Sequence, residues 1–569
     1  MRIGIDIGGT HTDGVLIDGD RLIAAAKTPT FSDNLLESIS QVLRSILSGQ
    51  DPGKVSTINL STTLNTNAIV TGRIEKVGVL VVGGPGIAPE TYRIGEHFHL
   101  IPGSLDHLGT ETTPLDMDRL QAAVADCAGK GVKSFAVVGK FSPRNPSQEN
   151  TIREHLGNRA DFVSSGHLLS GQLNFGRRIH TAYYNSAVWR AFRAFSTALQ
   201  ESLLKFNIRA DVNILKADGG TMPLLRALES PVVSIFSGPA ASVMGILAME
   251  PTDSDILMLD IGGTTTDIAL FAAGQPLLER EGISIDGRPT LVRAIHVESI
   301  GIGGDSLIQV EQGVVLVGPQ RLGPCMARGG SAPTLMDALN VLELVEFGNS
   351  RNSIMGIEEL ANRHGIPGRQ LARDVVDTAI NAISTRIDSL ITQVNSKPVY
   401  TIQEILEDRP ITPSKLIVIG GPAVVFRELL QTSLGMEVVI PPLHGVANAI
   451  GAALTRSTAQ LVLTADTARG KVSIPRLEIF RSVPRSYTLE TAINEAKSLL
   501  IGDLEQAGVR ISAEEVQITQ ADSFNIVEDF YTTGRNIRVV AQVQPAVTVL
   551  LDKVNAGIRI DSGPERQLL

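Results

Sequence analysis

An aspartate, two glycines, a run of hydroxyl side chains and a second aspartate stand together twice in this sequence. They form GIDIGGTHTDGVL from Gly4 to Leu16 and LDIGGTTTDIAL from Leu259 to Leu270. Glycine lets a backbone take positive φ and lie close to a ligand, and the N–H groups so freed, with threonine hydroxyls, can wrap phosphate oxygens. A carboxylate beside them can hold a hydrated magnesium ion, which keeps several waters and uses few protein oxygens. In each copy an apolar strand runs up to the first Asp and another leads away from the second, which makes a hairpin with a polar tip. A single copy reads equally well as an ordinary Gly-containing hairpin. Its duplication implies two similar domains facing one site.

Further polar turns follow apolar strands. STTLNTNAIVTGR, from Ser61, crowds Thr62, Thr63, Asn65 and Asn67 at the start of a helix, where orphan N–H groups bind anions or polar ligands; plain N-capping accounts for the same residues. Asp218-Gly219-Gly220-Thr221 ends a strand over 212–215, the position where open α/β sheets place ligands. Gly301, Gly303, Gly304 and Asp305 make a loop suited to phosphate, and Gly420-Gly421 opens a helix where an adenine or ribose can lie against bare backbone. Two helices of small residues, 237–249 and 444–454, can pack closely against another helix. Arg177, Arg178, Thr181 and Asn185, near the start of a long helix from 177, can reach a ligand. His97, His99, Asp106 and His107 read as a polar loop whose spacing fits no defined metal site.

The positioning elements alternate. Three strands over 3–28 precede an amphipathic helix from about Ser32. Strands at 77–82 and 134–138 interleave with helices at 115–128 and 147–156, and a long helix spans about 369–394. Residues 318–335 are Gly/Pro-rich loop. Past about Thr464 the character changes to one helix, 489–506, and several strands without an Asp-Gly-Gly turn. At 569 residues the chain exceeds a single core. A net charge of −10 and a pI near 5.6 argue against nucleic acid. Two distant cysteines, Cys127 and Cys325, exclude a disulfide framework and argue against a Cys-ligated metal or iron–sulfur cluster. The sequence opens on a strand pattern without a charged leader and holds no membrane-length apolar run, so a cytoplasmic protein is expected.

Taken in order, the elements are Asp hairpin, small-residue helix, Asp hairpin, Gly-Gly before a helix, and small-residue helix. This order resembles the actin, sugar-kinase and heat-shock-chaperone ATPase superfamily. Within it, IGGTHTD, STTLNTNA, RRIHTAYYN, ADGGTMP, SGPAAS, DIGGTTTD and SIGIGGDS are similar to the signature segments of the hydantoinase/oxoprolinase family, A-type subunit. The match spans residues 1 to about 455, and YTTGRNIRVV at 531–540 resembles the family's C-terminal domain. Three departures stand out: no aromatic Gly-Phe-x-Asp run follows Val82, Asp305 replaces the third glycine of a GGGS run, and the chain is shorter than most members.

The resemblance implies an α/β fold of two ribonuclease-H-like (actin-like ATPase) domains, 1–210 and 211–464, around an ATP cleft, with an accessory α+β domain over 465–569. It implies magnesium held through water by Asp6 and Asp260. Gly8, Gly9, Thr10, Thr12, Gly262, Gly263, Thr264 and Thr265 fall on the phosphates, Gly303 and Gly304 on a phosphate cradle, and Gly420 and Gly421 on adenosine. Asp13, Asp218 and Asp267 are candidates for orienting the nucleophile; Thr62, Thr63, Asn65 and Asn67 are the substrate-side candidates. The implied activity is ATP-dependent opening of a hydantoin, 5-oxoproline or other lactam, in an oligomer with a B-type subunit. The rivals are a reactivating chaperone-like ATPase, a small-metabolite kinase and a ketone carboxylase subunit.

Overall fold

The computed structural model describes residues 1–31, 34–279, 281–396, 410–552 and 559–561. The first amphipathic helix runs over Leu35–Ile46, with the Asn34 side chain accepting a hydrogen bond from the Glu37 N–H; Ser32, where the helix was expected to begin, lies outside the described residues.

Each Asp hairpin belongs to its own sheet. The first sheet is ordered Thr221–Pro223, Asp211–Leu215, Thr57–Thr62, Arg2–Ile7, His11–Asp18, Arg21–Pro29, Arg559–Asp561. The second is ordered Gln275–Pro276, Thr266–Ala272, Ile256–Ile261, Lys415–Ile419, Glu437–Val439, with Val297–Ile300 also pairing Thr266–Ala272. In both, the leading strand of the hairpin pairs in parallel with a buried strand on its other side, Thr57–Thr62 or Lys415–Ile419. The hairpin registers coincide: Asp6 sits opposite Asp13, and Asp260 opposite Asp267. Cross-strand partners share a face, so each hairpin presents its two carboxylates on one side. The duplication read from the motif is therefore a duplication of topology. The expected boundary at 210/211 falls inside the first sheet, because Asp211–Leu215 pairs in parallel with Thr57–Thr62.

The helices Ser237–Met249 and Ala447–Leu454 lie between the sheets. Their apolar residues join Val15 and Ile17 of the first sheet and Met258, Phe271 and Ile417 of the second in one core cluster. Small residues set this close approach. A Cβ at Gly451 would stand 2.0 Å from the Ala241 carbonyl oxygen, and one at Gly245 would stand 2.1 Å from that of Ala447. Residues 447 and 449–454 are buried, and Asn448 is the one polar side chain of that helix.

Within the first unit, four parallel strands form a separate sheet, ordered Phe162–Ser165, Ser134–Gly139, Val77–Val82, His97–Leu100. Burial on both faces explains the unbroken apolar run Val77–Val82. His97 and His99 are part of this sheet, not of a loop as expected. The C-terminal unit is a five-stranded antiparallel sheet covered by the helix Leu489–Gln506, which buries Ala492, Ala496, Leu500 and Leu504 at one-turn spacing. Its first strand in the chain, Gln460–Asp466, starts ahead of the expected boundary at 464/465. No helix among the described residues is long and apolar enough to cross a membrane.

Candidate active site between the Asp hairpins

The two hairpin tips face each other across a cleft of about 430 Å³. A Cβ placed on Gly263 would lie 3.7 Å from Thr10 Oγ1, which measures how near the two turns come. Each tip is closed by the same bond, Gly8 N–H to the His11 carbonyl at 3.0 Å and Gly262 N–H to the Thr265 carbonyl at 2.9 Å. This leaves the N–H groups of Gly9, Thr10, Gly263 and Thr264 without hydrogen bonds among the described residues, and all four residues line the cleft. Such paired turns offer fixed donors to an anion.

Below the tips, Asn448 joins the halves: its side-chain amide donates to Asp6 Oδ2 at 3.2 Å and to Asp260 Oδ2 at 3.3 Å. Asp260 Oδ2 also accepts from Ser242 Oγ at 2.6 Å. Asp13 is paired with Lys27, whose Nζ lies 2.8 Å from Oδ1 and also donates to the Gly445 carbonyl. Asp267 accepts from Ser299 Oγ.

The electrostatics follow from this crowding. Burial pushes Asp6 up to about 7, the Asp13 and Asp260 charges add to the rise, and hydrogen bonds from Ser61 and Asn448 offset part of it. Burial together with the Asp260 charge pushes Asp267 up to about 7, and burial also raises Asp260. Asp6 Oδ1 is buried without a hydrogen-bond partner. One buried and one half-buried carboxylate bridged by a neutral amide, with one oxygen orphaned, fit a divalent cation. No group of three His, Cys, Asp or Glu side chains with metal-holding geometry occurs among the described residues. The fit is therefore to magnesium retaining its waters, not to an all-protein cage.

One pH effect follows. Asp6 is near 7 in the fold against an ordinary value near 3.9 unfolded, so stability is fullest below pH 4 and falls as pH rises toward 7. In magnesium-free denaturation, Asp6→Asn should match the parent near pH 4 and exceed it by about 1–3 kcal/mol at pH 8. Parallel pH profiles for the two proteins would remove Asp6 as a strained buried acid.

The cleft gathers most but not all of the residues expected there. Gly8, Gly9, Thr10, Asp6, Asp13, Asp260, Gly262, Gly263, Thr264, Thr265, Asp267, Gly304, Gly420 and Gly421 line it. Gly420 has φ +96°, and a Cβ there would stand 2.2 Å from the Ile261 carbonyl oxygen, so no other residue passes. Thr12 does not line the cleft: it is buried, with Oγ1 2.9 Å from Thr30 Oγ1. Gly303 and Gly304 do not offer a phosphate cradle. The Gly303 N–H bonds Ser306 Oγ and the Gly304 N–H bonds the Gly262 carbonyl, so the loop braces the second tip instead.

Asp218 is likewise outside the cleft, buried between Lys216 and Arg293 at 3.2 and 2.9 Å. Of the substrate-side candidates only Thr63 lines the cleft. Thr62 is buried, with its N–H on Ser237 Oγ. Asn65 is buried and donates to the Pro231 carbonyl and Ser234 Oγ, which anchors its helix, and Asn67 is exposed. The group at 177–185 is also structural. Arg178 is wholly buried beside Glu149, Arg177 bonds carbonyls at 281, 282 and 290, Thr181 Oγ1 accepts from Leu291 N–H, and Asn185 donates to Ser164 Oγ.

Lys27 and Asn448 were missed. Lys27 stands opposite Asp13 in the pairing of the second and third strands, so extending the hairpin register by one strand finds it. Asn448 was signalled by its isolation as the one polar residue in ANAIGAAL. Met336, from the helix Leu335–Val341, His444, from the turn ahead of the helix Ala447–Leu454, and Phe347, from a loop, also border the cleft.

Residues 2–159 match the hydantoinase/oxoprolinase N-terminal region and residues 178–461 the hydantoinase/oxoprolinase domain. The chain is 27% identical over 488 residues to the caprolactamase subunit alpha of Pseudomonas jessenii, covering 78% of this chain and 68% of that one. It is 25% identical over 402 residues to the acetophenone carboxylase gamma subunit of Aromatoleum aromaticum, covering 60% of this chain and 53% of that one. Among solved structures, nucleotide-free acetone carboxylase superposes with a TM-score of 0.71 at 16% identity, and the ATP-dependent caprolactamase of Pseudomonas jessenii with 0.70 at 19%. Each alignment covers 96% of this chain and 88% of the other, and at these identities each shows a shared fold.

Proposed function

The chain belongs to the hydantoinase/oxoprolinase family, and from that premise we propose that it is the ATP-dependent subunit that activates a cyclic amide by phosphorylating its carbonyl oxygen. The observation that carries this reading is the meeting of Asp6 and Asp260 on one Asn448 amide beneath two free-donor tips. A lactam resists hydrolysis because its carbonyl is a poor electrophile and its nitrogen a poor leaving group. Moving the γ-phosphoryl group of ATP to the carbonyl oxygen breaks the bond to ADP and leaves a carbon that water attacks. The C–N bond then breaks as the nitrogen takes up a proton, leaving an acyl phosphate, and a second water attacking its acyl carbon releases phosphate that carries the former carbonyl oxygen.

Such a transfer asks the protein for position and charge neutralisation. The N–H groups of Gly9, Thr10, Gly263 and Thr264 and the Thr10, Thr264 and Thr265 hydroxyls hold the phosphate oxygens. Asp6 and Asp260 are the residues that would hold a hydrated magnesium ion, which would supply positive charge beside the transferring phosphoryl group. Lys27 pairs with Asp13, and Asp267, pushed up to about 7, is a cleft carboxylate able to exchange a proton at neutral pH. Gly420 and Gly421 leave room for the nucleoside. Relatives named as alpha or gamma subunits support a partner subunit, which in this reading is the B-type chain that completes hydrolysis.

Phosphate release with magnesium-ATP should be measured across hydantoins, 5-oxoproline, simple lactams and ketones, with and without the B-type partner. The proposal expects stimulation by a ring amide. Stimulation by ketones with bicarbonate alone would move the chain to the carboxylase reading that the acetophenone carboxylase relative suggests. A stable phosphorylated product, or turnover indifferent to every small molecule, would overturn it in favour of a kinase or a chaperone-like ATPase.

A further inference from the structure

A second cavity, of about 250 Å³, lies where the parallel sheet of the first unit meets the C-terminal sheet, and it shares no residue with the cleft. Its lining carries four cations, Arg144, Arg469, Lys471 and Arg481, against one acid, Asp466. In a chain of net charge −10 this local sign is reversed. Two of the cations are occupied: Arg481 pairs with Glu495, and Arg469 donates to Thr110 Oγ1 at 2.8 Å. Among the described residues, Arg144 and Lys471 make no side-chain hydrogen bond or ion pair.

Arg144 is half-buried and also borders a neighbouring cavity of about 180 Å³ that holds Arg538. Burial lowers the affinity of Arg144 for its proton; Asp466 offsets part of this, the Arg469 charge adds a smaller push in the same direction as burial, and Asp106 a smaller pull against it. A guanidinium held away from water beside like charges is unfavourable until an anion joins it. Val472 and Phe480 add apolar wall, so the space suits an anionic head on a small organic body.

We propose that this junction is a binding site for a small oxyanion, a carboxylate or a phosphoryl group, gripped by Arg144 from the first unit and Lys471 from the C-terminal unit. Guanidinium donors recognise both oxyanion types in fork geometry. A bound ligand would bridge two units already tied by Arg153 to Glu478 at 2.7 Å and by Ser473 Oγ to the Pro143 carbonyl.

The test is calorimetric titration of the full chain with inorganic phosphate and, separately, with hexanoate, at constant ionic strength. Saturable binding of either anion is expected; phosphate alone would mark a phosphoryl site and hexanoate alone a carboxylate site. Arg144→Gln and Lys471→Gln should each weaken that binding at least tenfold, whereas Asp260→Ala, in the cleft, should leave it unchanged. Lys471 is exposed, so its variant carries the test should Arg144→Gln fail to fold. Absence of saturable binding for both anions, unchanged affinity in the variants, or loss in Asp260→Ala would overturn the proposal.

Discussion

Asp260→Ala is expected to lower magnesium-ATP hydrolysis by about 10²–10³-fold, the scale seen when one preorganised charge-stabilising group is lost from a site. Its thermal unfolding should stay close to the parent's. Both halves of the expectation come from the same geometry. Asp260 is half-buried, and desolvation raises its carboxylate above the ordinary range, so its charge is tolerated rather than stabilising in the metal-free fold. Removing it relieves crowding with Asp6, Asp13 and Asp267, while Ser242 and Asn448 lose one acceptor each. Asp6→Ala should behave in the same way, because Asn448 treats the two carboxylates alike. Normal turnover in either variant would dissolve the assignment of the cleft.

Asp218→Ala should do the opposite, costing about 3–5 kcal/mol in folding, the range for breaking a buried ion pair by removing one partner. Burial opposes ionisation of Asp218, yet the Lys216 and Arg293 charges and the Gly220 N–H hold it down to about 2. A depressed value means that its stabilisation is present above about pH 4 and lost as pH falls toward 2. With the carboxylate gone, Lys216 and Arg293 are left facing each other, and Thr458 Oγ1 loses its acceptor at 3.3 Å. Denaturation followed at Trp189, the single tryptophan, measures the loss. A variant as stable as the parent but devoid of ATP turnover would return Asp218 to the catalytic group from which its burial removes it.

The contrast between these two aspartates shows where the sequence was legible. Both follow an apolar strand run and stand just ahead of Gly-Gly-Thr, so local pattern reads them alike. The Asp260 hairpin could be interpreted because Asp6 repeats it, and the coincident registers then place both carboxylates at the cleft. Nothing near Asp218 in the chain names Arg293 or Thr458, which reach it from distant segments. The Gly303-Gly304 loop failed for a related reason: its composition was that of a phosphate loop, but its N–H groups are taken by Ser306 and the Gly262 carbonyl. Helix ends such as Leu489–Gln506 and Ser237–Met249 were legible because apolar spacing and small-residue packing are properties of consecutive residues. The pairing of Asp211–Leu215 with the first sheet was not, since sheet membership is decided by partners far along the chain.

The most direct measurement of the central claim follows an oxygen atom. Take the ring amide that most stimulates turnover, label its carbonyl with oxygen-18, and analyse the phosphate released during ring opening with magnesium-ATP and the B-type partner. Phosphorylation of the carbonyl oxygen predicts that the label appears in the phosphate, one atom per turnover. Phosphate without the label, while the ring still opens and the label stays in the carboxylate, would contradict it.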